Sequence, residues 1–175
     1  MFTTTPIPAT ASKTELYEEA ARQMRGLLRG EHNPVANAAN FSALVFHALP
    51  DISWCGFYFP DETGDGLVVG PFQGKPACVR LSHGKGVCGA AVTTRRTQVV
   101  PDVTTFPGHI YCDGAARSEI VVPLFRTDGS LVGVWDVDSY SVGRFDEDDR
   151  IGMEALCLQF IQTLAVPPRR QPAAS

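Results

Sequence analysis

Two apolar runs, EIVVPLF over residues 119–125 and SLVGVWDVDS over 130–139, limit the fold more than any other part of the chain. β-Branched and aromatic residues dominate both, and Thr127-Asp128-Gly129 between them is turn chemistry, so they read as paired strands. Within the second run Asp136 and Asp138 stand two apart. On a strand that spacing points both carboxylates to one face and Val137 to the other. Aspartate is a poor strand former and costly to bury. Exposure at a strand edge is the plain reading of the pair, and a pocket that uses both is the alternative.

The remaining elements follow in chain order. Ser12-x-x-Glu15 is a capping box, and Leu16, Ala20, Met24, Leu27 and Leu28 recur at helical spacing, which predicts a helix over 13–29. Asn33-Pro34 is an N-cap followed by proline at the first helical position. It opens a second helix over 34–48, with Ala38, Phe41, Leu44, Val45 and Ala48 inward. ISWCGFYF (52–59) and LVVGPF (67–72) read as a hairpin around PDETGDG. KGVCGAAVTTRR (85–96) reads as a short helix, QVVPDV as a short strand broken by Pro101, and 104–118 as a long irregular loop. Loops of that length inside a compact domain usually serve function. Phe145-Asp146 opens a last helix of about 20 residues with Ile151, Leu156, Phe160, Ile161 and Leu164 as apolar positions, stopped by Pro167-Pro168. The expected organisation is a disordered start over 1–11, one domain over 12–166 and a disordered tail over 167–175. The expected class is α+β: a central antiparallel sheet, the N- and C-terminal helices on one face and a loop-covered ligand pocket on the other.

Bulk properties narrow the function. The 175 residues suit one domain with its own core, and a 44% apolar fraction is that of a globular chain. A net charge of −4 argues against nucleic acid or an anionic membrane as the main partner. No apolar run is long enough to span a bilayer, and the N-terminus lacks a basic start with a long apolar core. The expected compartment is therefore the cytoplasm. There, five cysteines, an odd number, are not a structural disulfide framework.

Three of those cysteines, Cys78, Cys88 and Cys112, lie between residues 70 and 138 with Glu119, Asp136 and Asp138. Their intervals of 10 and 24 residues include no Cys-x-x-Cys pair, and a zinc site from Cys78, Cys88, Cys112 and His109 has the wrong spacing for structural sites. No metal is expected. Thiols beside carboxylates suggest redox chemistry that also needs protons. Cys112 sits in the long loop, where it can be reached. Cys78 follows the Lys75-Pro76-Ala77 approach. Cys88 lies early in the short helix, where backbone N–H groups favour a thiolate, although a buried small residue is an equal reading. The residues alone do not apportion nucleophile and resolving thiol among the three. Three carboxyls in one pocket would repel, so at least one pKa should rise. His109 either lowers the pKa of Cys112 or simply occupies the loop, His83 reads as a solvated loop residue, and His32 and His47 read as structural.

GVCGAAV, SEIVVPLF with DGSLVGVWDVDS, and FDEDD before the last helix together resemble a GAF domain. GPFQGKPACVR, GKGVCGAAV, GHIYCD, SEIVVPL and GVWDVDS resemble, more closely, the free methionine-(R)-sulfoxide reductases, over about residues 15–165. The departures are Trp135, where the family tends to a smaller aliphatic residue, and a longer PDETGDG turn; Cys55 and Cys157 are outside the pattern. The resemblance implies reduction of free methionine-R-sulfoxide to methionine, with Cys112 as nucleophile and Cys78 as resolving thiol in a Cys78–Cys112 disulfide. Cys88 would be a second resolver or relay. Glu119 and Asp138 would polarise the sulfoxide, Asp136 would aid the substrate ammonium, and Trp54 and Tyr58, otherwise ordinary core aromatics, would line its methyl end. It implies thioredoxin as external reductant, no metal or organic cofactor, and a homodimer as the state open to such domains through their end helices. The competing expectation is a non-catalytic GAF sensor binding a small ligand such as a cyclic nucleotide.

Overall fold

The computed structural model describes residues 4–8, 10–82 and 84–164. Helix α1 (Lys13–Leu27) starts at the expected capping box: Ser12 Oγ accepts from the Glu15 N–H, and Glu15 accepts from the Ser12 N–H at 2.8 Å. Helix α2 (Pro34–Ala48) is capped by Asn33, whose Oδ1 accepts from Val35 and Ala36 N–H at 3.0 Å each. Strands β1 (Trp54–Pro60), β2 (Gly66–Gly74) and β3 (Arg80–Ser82) lead to helix α3 (Gly86–Thr94) and strand β4 (Gln98–Val100). A 3₁₀ turn at Val103–Thr105 begins the long loop, followed by β5 (Ser118–Phe125), β6 (Leu131–Ser139) and helix α4 (Glu147–Thr163).

The six strands form one antiparallel sheet in the order β3-β2-β1-β6-β5-β4. Alternation along each strand sorts the core into two layers. Cys55, Phe57, Ile120, Val122, Trp135 and Val137 face α1, α2 and α4 and pack with Phe41, Met153, Leu156 and Phe160. Trp135 fills the middle of this layer, fully buried, with the Phe41 ring edge-on at 4.6 Å. Trp54, Tyr58, Val121 and Val134 face the other way and pack with Val87, Cys88 and Ala91 of α3. The expected α+β arrangement, end helices on one face and mid-chain segments on the other, is the one present.

Three details differ from the sequence reading. Strand β3 is a three-residue edge strand with only Leu81 buried, too short to leave a periodic signal. The helices end a little earlier than expected, at Leu27, Thr94 and Thr163. Ile151 is 55% exposed, because the stripe of α4 that meets the core runs through Asp149, Met153, Leu156 and Phe160, and Ile151 falls off it. The Pro167-Pro168 stop and the tail lie outside the described residues.

Helix α4 is joined to α1 by a buried polar knot. Asp149, fully buried, accepts from Lys13 Nζ at 2.5 Å, Tyr17 OH at 2.9 Å, Arg144 Nη1 at 3.0 Å and the Asp146 N–H at 3.0 Å. Ahead of α1, Thr5 exchanges two hydrogen bonds with Gln23, at 3.1 and 2.8 Å, and Ile7 packs on the core.

Candidate active site

Register builds the floor of the site. Asp138 of β6 pairs with Trp54 of β1 on one side and Glu119 of β5 on the other. One step along, Asp136 pairs with Gly56 and Val121. All of these face away from the end helices, so Trp54, Asp138 and Glu119 form one row and Asp136 stands in the next. Gly56 is required here: a Cβ would come within 2.6 Å of the Trp54 ring, which lies over it and stacks on Phe72 at 5.4 Å. The aspartate pair is thus in the middle of the sheet, which overturns the edge reading; Asp136 is 7% exposed and Glu119 5%.

Helix α3 covers this floor. Gly89 lets the preceding loop close on its first turn, since a Cβ there would meet the Gly84 backbone at 2.6 Å. Cys88 is thereby buried over the carboxyls, its Sγ 3.7 Å from Asp136 Oδ2. The long loop supplies the opposite wall. His109 turns inward, its Nδ1 3.5 Å from Glu119 Oε2. Cys112 follows on the exposed side and is disulfide-bonded to Cys78, with Cα atoms 5.3 Å apart. Cys112, Cys88, Glu119, Asp136, Asp138, Trp54 and Tyr58 line one cavity; Cys78 stands behind Cys112 and is not part of its wall.

Two aromatic side chains hold the backbone of the Cys78 segment. Trp54 Nε1 donates to the Lys75 carbonyl at 3.1 Å, and Tyr58 OH donates to the Cys78 carbonyl at 3.1 Å. A clasp invisible in the sequence joins the two cysteine segments at the rim. Asp113 Oδ2 accepts from Lys75 Nζ at 3.1 Å and from Tyr140 OH at 2.9 Å, while Lys75 Nζ lies 5.1 Å from the centre of the Tyr140 ring. The hydrogen bond from the Ala115 N–H, then Lys75 and Tyr140, holds the Asp113 carboxyl below its usual range.

Charge in the cavity is dominated by desolvation. Burial, then Asp136 and Asp138, holds the Glu119 carboxyl well above its ordinary range, and burial, then Asp136 and Asp113, does the same for Asp138. Asp136 is pushed up only to about 7, because Cys88 and Glu119 favour its ionised form against burial. Near neutral pH Glu119 is therefore a protonated acid and Asp136 is the first of the three to ionise. Burial, followed by the carboxyls, also raises the Cys88 thiol, which outweighs the helix N-terminus and keeps it protonated. Burial lowers the His109 pKa, so its ring is neutral. Glu119 Oε2, Asp136 Oδ1 and His109 Nδ1 are buried with no hydrogen-bond partner among the described residues. All three residues line the cavity, where a ligand could satisfy them. Unpaired acceptors and the protonated acids Glu119 and Asp138 suit a cationic group and an oxygen that needs a proton. Cys88, Glu119 and Asp136 are also donors a metal ion could use. His83 lies outside the described residues.

Comparison with known proteins gives the same picture at the level of the whole chain. The family model for the GAF domain matches residues 41–165. The free methionine-R-sulfoxide reductase of Escherichia coli is 46% identical over 154 residues, covering 88% of this chain and 92% of that protein. The structure of free methionine-R-sulfoxide reductase from Neisseria meningitidis in complex with its substrate is 40% identical, covers 93% of this chain and 96% of its own, and superposes with a TM-score of 0.87. A structure from Burkholderia vietnamiensis, provisionally described as a GAF sensor protein, is 61% identical, covers 88% and 99% of the two chains and has a TM-score of 0.84.

Proposed function

The chain belongs to the GAF domain family, and within it to the free methionine-R-sulfoxide reductases, and from that membership we propose that it reduces free L-methionine-(R)-sulfoxide to L-methionine. The observation that carries the reading is the Cys78–Cys112 disulfide at the edge of a cavity whose floor holds Glu119, Asp136 and Asp138. Cys112, as thiolate, attacks the sulfoxide sulfur. Glu119, protonated, gives its proton to the sulfoxide oxygen as the S–O bond breaks, with Asp138 polarising the same bond. The oxygen passes to Cys112 as a sulfenic acid and methionine leaves as the thioether, so sulfur in the substrate is reduced and sulfur in the enzyme oxidised. The Cys78 thiol then displaces water from the sulfenic acid to form the disulfide. Asp136 holds the substrate ammonium, and Trp54 and Tyr58 border its methyl group. Cys88 serves as a reserve thiol or relay.

Recycling requires an external dithiol, for which the expected donor is thioredoxin, in a cytoplasmic setting. Among the described residues no helix is long and apolar enough to cross a membrane. A purely sensory GAF domain needs a pocket but neither a paired thiol at its rim nor a protonated acid on its floor, and the combination favours the enzyme. The test is a coupled assay. Purified protein with thioredoxin, thioredoxin reductase and NADPH should oxidise NADPH on addition of the free R epimer. Little oxidation should follow the S epimer or peptide-bound sulfoxide. Absence of turnover on the free R epimer would return the protein to the sensor class.

A further inference from the structure

The cavity floor brings together donors that are scattered in sequence. The ligand-capable atoms of Cys88, Glu119 and Asp136 all lie within 4.8 Å of one another. A fourth candidate stands beside Glu119, outside that group of three: His109, with 7% of its side chain exposed, presents an unpartnered Nδ1 at 3.5 Å from Glu119 Oε2. The Cys88 Sγ to Asp136 Oδ2 separation is 3.7 Å. A tetrahedral zinc with Zn–N/O bonds of ~2.0–2.2 Å and a Zn–S bond of ~2.3 Å has donor–donor edges of roughly 3.3–3.7 Å. Both measured separations are close to those edges. Thiolate, imidazole and carboxylate together match a borderline d¹⁰ cation and not magnesium or calcium, which take oxygen donors.

We propose that Cys88, Glu119, Asp136 and His109 form a four-donor site for Zn²⁺, and that the bound ion occupies the pocket and excludes the amino-acid substrate. Coordination deprotonates the Cys88 thiol and the carboxyls, and those protons pass to water, so uptake strengthens as pH rises. The new thiolate lies at the N-terminal turn of α3, where the helix dipole favours an anion. No redox change at sulfur is involved. The exclusion of substrate rests on the reductase reading; the metal site itself does not.

The disulfide form of the protein isolates the site, because Cys78 and Cys112 are then unable to ligate and the other free thiols, Cys55 and Cys157, are buried in the opposite core layer. Titration of that form with Co²⁺ should give one equivalent of a four-coordinate spectrum with thiolate-to-cobalt absorption, displaced by one equivalent of Zn²⁺. His109→Gln should keep the thiolate band and weaken Co²⁺ affinity by at least about tenfold, the smallest loss typical of removing even an outer partner of a metal ligand. Cys88→Ser should remove the band. A disulfide form without a thiolate band, or a band that survives in Cys88→Ser, overturns the site. Excess free methionine sulfoxide should raise the apparent Zn²⁺ dissociation constant. If Zn²⁺ binds as described and the sulfoxide leaves its affinity unchanged, the metal site stands and the placement of substrate in this pocket fails.

Discussion

The proposed role of Glu119 sets two requirements that conflict in water. As general acid it would carry a proton at neutral pH and release it to a developing oxyanion. Burial beside Asp136 and Asp138 supplies the first, and an unpartnered Oε2 facing the cavity supplies the second. Glu119→Gln keeps the shape and a donor but has no acidic proton. Its turnover number and specificity constant should fall together by ~10²–10⁴, the usual contribution of a general acid. Asp136→Asn should mainly raise the half-saturating concentration, because it loses the ammonium partner. Rapid-quench kinetics over a range of sulfoxide concentrations separates the two. A Glu119→Gln enzyme with a normal rate at saturation and weak binding would make Glu119 an ammonium ligand instead. The facing of Asp136 and Asp138 was legible in the chain, since alternation on a strand is local. Their place in the middle of the sheet was not, because it depends on β6 sitting between β1 and β5, a long-range fact.

Helix starts were equally legible, because Ser12, Asn33 and Asp146 cap through bonds to residues two or three positions away. What escaped were features assembled from separate segments: the edge strand β3, the off-stripe Ile151, the inward turn of His109 and the rim clasp of Lys75, Asp113 and Tyr140. The clasp has a specific consequence. It ties the segment that carries Cys78 to the one that carries Cys112, so it should matter most when a sulfenic acid awaits its resolving thiol. Lys75 is well exposed, so the pair is screened by solvent and its loss should change a rate by at most about fivefold. Asp113→Asn should slow disulfide formation by a few-fold and leave methionine release unchanged. High salt should slow the parent protein similarly and the variant hardly at all, because surface charges are screened. Alkylation-quench time courses report both steps; slower methionine release in the variant would place Asp113 in the chemistry and not in loop positioning.

At the scale of the whole molecule the sheet separates a stabilising side from a working side. The end-helix layer holds Trp135, Phe41 and Phe160 and the Asp149 knot, whereas the other face turns three carboxyls, Glu119 and Asp136 buried and Asp138 half-buried, toward a cavity. Linkage gives the difference a sign. For Asp136 the folded pKa, about 7, lies above the unfolded value of ~3.9, as do those of Glu119 and Asp138. Between those limits the folded state binds more protons, so this group of carboxyls costs stability as pH rises. His109, lowered by burial, acts in the opposite sense below its unfolded pKa of ~6.5. Asp146, held at about 2 by Lys13 first among its partners, stabilises above ~3.9 and loses that contribution as pH falls through 2. Thermal melts of the disulfide form should therefore show Asp136→Asn stabilised relative to the parent at pH 8 and much less so at pH 5. Equal shifts at both pH values would contradict the burial account. The central claim, attack by Cys112 on the free R epimer, is tested most directly without any recycling system. Reduced Cys78→Ser protein is mixed with free methionine-R-sulfoxide, and both methionine and the oxidised sulfur are identified by mass spectrometry. About one methionine per chain with a sulfenic acid on Cys112 is the predicted result. Methionine formed with the sulfenic acid on Cys88, or none formed at all, contradicts it.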